Sequence, residues 1–170
     1  TSRNVTVVPQ IVGGGQERGL RSGTENVAGT IGFARAIELA DKHRKSESER
    51  LRNLRDSLEQ RLIEVFPDAV VSGHKKHRLA GHLHISWPGI DAERLVFGLE
   101  TRGVLVATGS ACAANKGTRS HVLTAIGLDD QTADGSLRLS LGKLSNEDNT
   151  KQALDAIVAT VQVEMKRVDK

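Results

Sequence analysis

The sequence predicts a mixed α/β fold, more closely a small α+β domain whose sheet is packed by helices, with one long helix ahead of it. Three observations carry that reading. Ser136-Leu137-Arg138-Leu139-Ser140-Leu141 alternates strictly between polar and apolar residues, the mark of a strand buried on one face. Residues 25–66 and 146–168 instead repeat their apolar residues at helical spacing. Between residues 69 and 141, short apolar runs alternate with helical stretches.

The elements follow in chain order. Residues 1–12 read as an extended arm, and residues 13–24 as a loop rich in Gly and Arg. Thr24 is the expected N-cap of the helical stretch over 25–66. Val27, Ile31, Ala34, Ile37 and Ala40 form its first apolar stripe, and Leu51, Leu54, Leu58, Leu62 and Val65 its second. The polar stretch 41–50 between them fits one long bent helix or two helices meeting near His43–Ser48. Pro67 closes the element. Strands are expected at Ala69–Ser72, Leu83–Trp87 and Gly103–Ala107. A helix over Asp91–Thr101 places Leu95, Val96 and Leu99 inward, and a short helix over Thr118–Ile126 stops at Gly127. Ser136–Leu141 is the clearest strand. The helix over Asn146–Val168 aligns Ala153, Ile157, Val161 and Met165 on one face. These boundaries divide the chain into 1–24, 25–66 and 67–170.

Composition narrows the function. With 38% apolar and 26% charged residues, the chain has the balance of a globular protein rather than a disordered one. Aromatics are only 2%, with one Trp and no Tyr, so a base-stacking platform for nucleic acid is not expected. The net charge of +3 comes from basic residues spread among acidic ones along helices, which reads as solvated surface. One cysteine excludes an internal disulfide and a multi-cysteine metal site, and points to a reducing, cytoplasmic setting. No apolar run reaches the length of a membrane span, so no membrane partner is expected. The chain starts at Thr1 and opens on Asn4–Pro9, which reads as a strand arriving from elsewhere. The expectation is a fragment.

Four groups of residues bear on chemistry. Cys112 lies in Gly109-Ser110-Ala111-Cys112-Ala113-Ala114-Asn115-Lys116-Gly117, after an apolar β-branched run. A thiol in a core has bulky apolar neighbours; this one stands among small residues, a setting suited to an exposed nucleophile or sulfur carrier. Arg138 lies on the polar face of its strand, where a fixed guanidinium can hold a carboxylate by two parallel hydrogen bonds or simply face solvent. The segment Gly13-Gly14-Gly15-Gln16-Glu17-Arg18-Gly19-Leu20-Arg21-Ser22-Gly23-Thr24 brings backbone amides, hydroxyls and two arginines together ahead of a helix, a combination suited to an anion. It is neither a Walker loop nor a dinucleotide fingerprint, and a plain surface loop has the same composition. His74, His77, His82 and His84 invite a metal reading, but no carboxylate or cysteine falls at a convincing ligand spacing, so no metal is expected. His121 reads as a packing or capping residue.

Three segments taken together resemble the NifS/IscS-like cysteine desulfurases of the class V aminotransferase group. They are Gly13–Asn26, Gly109-Ser110-Ala111-Cys112, and Ser136-Leu137-Arg138-Leu139-Ser140-Leu141-Gly142, in matching order along essentially the whole chain. The resemblance implies the C-terminal small domain of a pyridoxal-phosphate fold-type I enzyme. Residues 1–24 would then be a strip of the large cofactor domain, residues 25–66 the domain-linking helix, and residues 67–170 the small domain with the cysteine loop. It implies pyridoxal 5′-phosphate as cofactor and L-cysteine as substrate. It matches Cys112 to the nucleophile that attacks the substrate sulfur, so that alanine leaves and a persulfide remains. It matches Arg138 to the residue that binds the substrate carboxylate. It matches Thr24 to the residue that reaches the cofactor phosphate of the other subunit in a homodimer. The sulfur would pass to acceptor or scaffold proteins for iron–sulfur cluster assembly or other sulfur transfer.

The family's cofactor lysine sits in a His-Lys motif shortly before the glycine loop, and no such motif occurs upstream of Gly13 here. The resemblance therefore implies a chain that is inactive alone and does not hold the cofactor by itself. Two other readings fit the same residues: a cofactor-free interaction module or persulfide acceptor, and a selenocysteine lyase-like enzyme.

Overall fold

A computed structural model describes residues 5–109 and 119–168. In chain order the elements are a 3-10 turn (Glu17–Gly19), α1 (Val27–Val65), β1 (Val70–Val71), β2 (His82–Ser86), α2 (Ala92–Glu100), β3 (Ala107–Thr108), α3 (His121–Ala125), α4 (Asp130–Asp134), β4 (Ser136–Ser140) and α5 (Glu147–Val168). The chain separates into two compact units, one up to Arg44 and the other from Lys45.

In the first unit the glycine-rich segment folds on itself. Gly19 N–H donates to the carbonyls of Gly15 and Gln16. Gly23 N–H donates to Gln16 Oε1 at 3.2 Å. Glu17 and Arg18 both take left-handed backbone angles, which side-chain-bearing residues rarely adopt. Asn26, not Thr24, caps α1: its Oδ1 accepts from Gly29 N–H at 2.9 Å. The helix starts later than expected because that amide-bearing side chain completes the first turn. Val27, Ile31, Phe33 and Ile37 are all exposed along this part of α1.

No break occurs near His43–Ser48; α1 is one helix of 39 residues. The polar stretch 41–50 lacks Gly and Pro, so nothing in it stops backbone hydrogen bonding.

The second unit is built on a four-stranded sheet in the order β1-β2-β4-β3, antiparallel throughout. Alternation separates its faces. Leu83 and Ile85 of β2 pair with Leu139 and Leu137 of β4, and all four are buried. Against them pack Leu58, Leu62 and Phe66 of the α1 end, Leu95 and Leu99 of α2, and Ile157 and Val161 of α5. Fully burying such a side chain stabilises by about 1.5–3 kcal/mol, so this face holds the unit together. Trp87 closes the core edge-on to Phe66, with ring centroids 5.9 Å apart.

Polar clasps fix the helices. Glu164 of α5 accepts from Arg94 of α2 and from Arg167, each at 2.8 Å. These bonds hold its carboxyl below the usual carboxylate range. Arg55 is buried in α1 and donates to the carbonyls of Leu79 and His82, tying the loop before β2 to the helix.

Two helix ends share one geometry. Gly103 N–H bonds Glu100 C=O and Val104 N–H bonds Leu99 C=O; Gly127 and Leu128 repeat this on Thr124 and Leu123. Both glycines are left-handed, as such caps require. The first cap consumes residues 102–104, which is why the third strand is only Ala107–Thr108 and not Gly103–Ala107.

Candidate active site

The polar face of the sheet carries the chemistry-bearing residues. His82 stands opposite Ser140, His84 opposite Arg138, and Ser86 opposite Ser136. Arg138 has a second neighbour, Ala107 of β3, on its other side. Arg138 is exposed, and among the described residues its guanidinium has no hydrogen-bond or ion-pair partner. Arg119, the other arginine of this region, is fully engaged. Its Nε and Nη2 donate to the two carboxylate oxygens of Asp134 at 2.7 and 3.0 Å, and its Nη1 lies 2.8 Å from Asp130. Of the two, Arg138 is the one available to an anion.

Beside this face lies a cleft of about 770 Å³, lined in part by Asp91, Thr108, Gly109, Ser120, Leu123 and Ser136. Each wall has a local cause. Asp91 caps α2 by accepting from the Glu93 and Arg94 amides. Asp129 caps α4 through the Thr132 amide and hydroxyl, which hold its carboxyl below the ordinary range. Ser136 Oγ donates to Ala133 C=O at 2.8 Å. Gly109 packs closely against the cleft wall: a Cβ there would meet Leu123 Cδ1 at 2.7 Å and Ser136 Oγ at 2.9 Å, so these side chains would have to turn aside.

Cys112 lies outside the described residues. The segment that carries it leaves the described chain at Gly109, on the cleft wall, and rejoins it at Arg119, also on the wall. Its root is Ala107, beside Arg138. Thr24 is exposed in the first unit, two residues before the capping Asn26, and its carbonyl accepts from Arg21 Nη1 at 3.4 Å.

The histidines behave differently from one another. His74 spends Nδ1 as an acceptor from the Lys76 and His77 amides. No group of three or more metal-ligating side chains forms among the described residues. His121 is exposed at the start of α3, neither packed nor a side-chain cap. His84, weighed from the sequence only as a metal ligand, has a different setting. It is half-buried next to Arg138, both its ring nitrogens are buried without a hydrogen-bond partner among the described residues, and burial followed by the Arg138 charge pushes its pKa down. Its place two residues after His82 on a strand signalled a shared face, but not which arginine lay across from it.

The profile of the family described as aminotransferase class-V matches residues 4–153. The chain belongs to that family. An IscS-like cysteine desulfurase of Mycobacterium tuberculosis is 42% identical over 160 residues, which cover 94% of this chain and 41% of that protein. Cysteine desulfurase IscS of Clostridium botulinum is 43% identical over 149 residues, covering 86% of this chain and 38% of that protein. Among solved structures, a NifS-like protein superposes with a TM-score of 0.78 at 33% identity, covering 95% of this chain and 41% of that one. The chain thus spans about two-fifths of the length of the relatives it matches. The small antiparallel sheet with flanking helices is a part of the class V architecture, as the sequence predicted.

These relatives belong to a pyridoxal-phosphate-dependent enzyme family. That cofactor carries a phosphate at one end and an aldehyde at the other. Thr24 is exposed beside the Arg21 guanidinium, a pair suited to a phosphate, while the Gly19 and Gly23 amides of the same segment are already bonded to Gly15 and Gln16. An aldehyde requires an amine partner, and no lysine is among the described residues that line the cleft of the second unit.

Proposed function

We propose that this chain is the part of a pyridoxal-phosphate-dependent cysteine desulfurase that grips L-cysteine by its carboxylate and takes its sulfur. Arg138 is the carboxylate ligand, Cys112 the sulfur acceptor, and Thr24 a contact to the cofactor phosphate of the other subunit in a homodimer. The helix α1 is the link between the cofactor domain and the small domain. One observation supports this most: the root of the cysteine segment, Ala107, is paired in register with an arginine that has no partner among the described residues. Cys112 is five residues from Ala107, so the backbone limits the separation of their Cα atoms to about 18 Å.

When bound, pyridoxal phosphate supplies an electron sink that weakens the carbon–sulfur bond of the amino acid. The chain's own residues do the rest. Arg138 fixes the carboxylate by paired N–H donors and so aims the substrate's sulfur. The Cys112 thiolate attacks that sulfur. A sulfur–sulfur bond forms and the carbon–sulfur bond breaks; the electron pair stays with the carbon, which takes up a proton and leaves as alanine. The persulfide left on Cys112 is then delivered, in the cytoplasm, to acceptor or scaffold proteins for iron–sulfur cluster assembly or other sulfur transfer.

The test is mass spectrometry of the complete cofactor-loaded protein that contains this chain, after exposure to L-cysteine. The peptide bearing Cys112 gains one sulfur atom and alanine appears in equal amount; Cys112→Ser abolishes both. Alanine release that survives in Cys112→Ser overturns the assignment of the acceptor.

A further inference from the structure

We infer that His84 is a second substrate-contact residue, an imidazole that donates one N–H to the carboxylate held by Arg138. This rests on the proposal that Arg138 binds a carboxylate, and adds to it.

The two residues are direct cross-strand partners on the polar face of the sheet. Such partners have Cβ atoms about 5 Å apart, so one carboxylate lies within reach of both. Neither side chain has a hydrogen-bond partner among the described residues. Buried polar atoms without a partner are unfavourable, and an acceptor that reaches them recovers the loss. The buried imidazole nitrogens and the exposed guanidinium beside them offer only N–H donors and one ring-nitrogen acceptor. That set suits an oxyanion and not an ammonium group.

The direction of the ring fits as well. A Cβ built on Gly109 would lie 3.6 Å from His84 Nε2. The imidazole therefore reaches from β2 past Arg138's strand toward the cleft wall, where the cysteine segment departs. Ser136 Oγ, the other polar atom near Gly109, is committed to Ala133 C=O as a donor. His84 is thus a direct cross-strand neighbour of Arg138 with a donor to spare.

The experiment uses the whole chain with histidine and arginine side chains isotopically labelled. Acetate, L-alanine and cysteamine are titrated in turn and followed by NMR. Acetate and L-alanine shift the His84 and Arg138 resonances saturably, and cysteamine, which lacks a carboxylate, does not. His84→Ala weakens L-alanine binding about tenfold, as loss of one hydrogen bond to a charged group should. His84→Asn, which restores an N–H donor, recovers most of the affinity, and His82→Ala leaves it unchanged. Backbone spectra outside the strand pair verify that each variant is folded. If Arg138→Gln abolishes binding while His84→Ala binds like wild type, the role given to His84 is wrong and that of Arg138 stands. If Arg138→Gln binds like wild type, or wild type shows no saturable shift, the carboxylate site itself is wrong.

Discussion

Arg119 grips Asp134 through two parallel hydrogen bonds of 2.7 and 3.0 Å, and so fastens the point where the chain returns from the cysteine segment to the start of β4. Asp130 adds a third contact at 2.8 Å. Arg119→Ala should raise amide exchange in His121–Ala125 several-fold while leaving global unfolding nearly unchanged, because the pair is exposed and locally placed. The exchanged-charge double variant Arg119→Asp, Asp134→Arg should restore much of the protection. Equal exchange in wild type and Arg119→Ala would show that the grip constrains nothing.

Gly135 is a sharper steric requirement. A Cβ there would sit 2.0 Å from the carbonyl oxygen of Trp87 and 3.1 Å from that of Ile90. Both obstacles are backbone, so no side chain can turn aside. Gly135→Ala should destabilise the second unit by about 3 kcal/mol, measured by urea unfolding. A cost below about 0.5 kcal/mol would mean that β2 and β4 meet less tightly at this junction than the structure shows.

His84 makes stability depend on pH. Its folded-state pKa lies below the unfolded value, first through burial and then through the Arg138 charge. The folded state therefore prefers the neutral ring. The contribution is fully present above the unfolded pKa, near 6.5, and is lost as pH falls from there through the lower folded pKa. Melting temperature should drop between neutral and mildly acidic pH, and His84→Asn should flatten that slope. Arg138→Gln should raise the His84 pKa measured by NMR; an unchanged value would separate the two side chains.

Asn26 caps α1, and the proposed role of Thr24 is separable from that cap. Asn26→Ala removes the cap of α1 and should cost about 1 kcal/mol of helix stability, visible by circular dichroism. Thr24→Ala should leave that helicity intact and, in the complete protein, weaken retention of pyridoxal phosphate. Loss of helicity in Thr24→Ala would return the cap to Thr24.

Much of this was readable in the residues. Alternation in Ser136–Ser140 fixes which side of β4 is core, because a strand has only two faces. Asp91 announced α2 by the side chain that caps it. What could not be read was pairing. Nothing local in His82–Ser86 says that His84 will face Arg138; that follows from sheet order, which long-range packing decides. The short helix Asp130–Asp134 was missed because five residues are too few to show a period, although Asp129 marks its start. The third strand was overextended because the turn closed by Gly103 borrows residues whose side chains favour strands.

Over 82–85 and 137–140 the even and odd positions of β2 and β4 have different jobs. Residues 83, 85, 137 and 139 hold the core, while residues 82, 84, 138 and 140 leave it untouched. A lineage can therefore change the chemistry this surface presents, by substitutions at those even positions, without renegotiating how the protein folds. Saturation mutagenesis over 82–85 and 137–140 should oscillate with a two-residue beat, tolerance at one position and collapse at the next, whereas the buried Ser86 and Ser136 at the strand ends should break it.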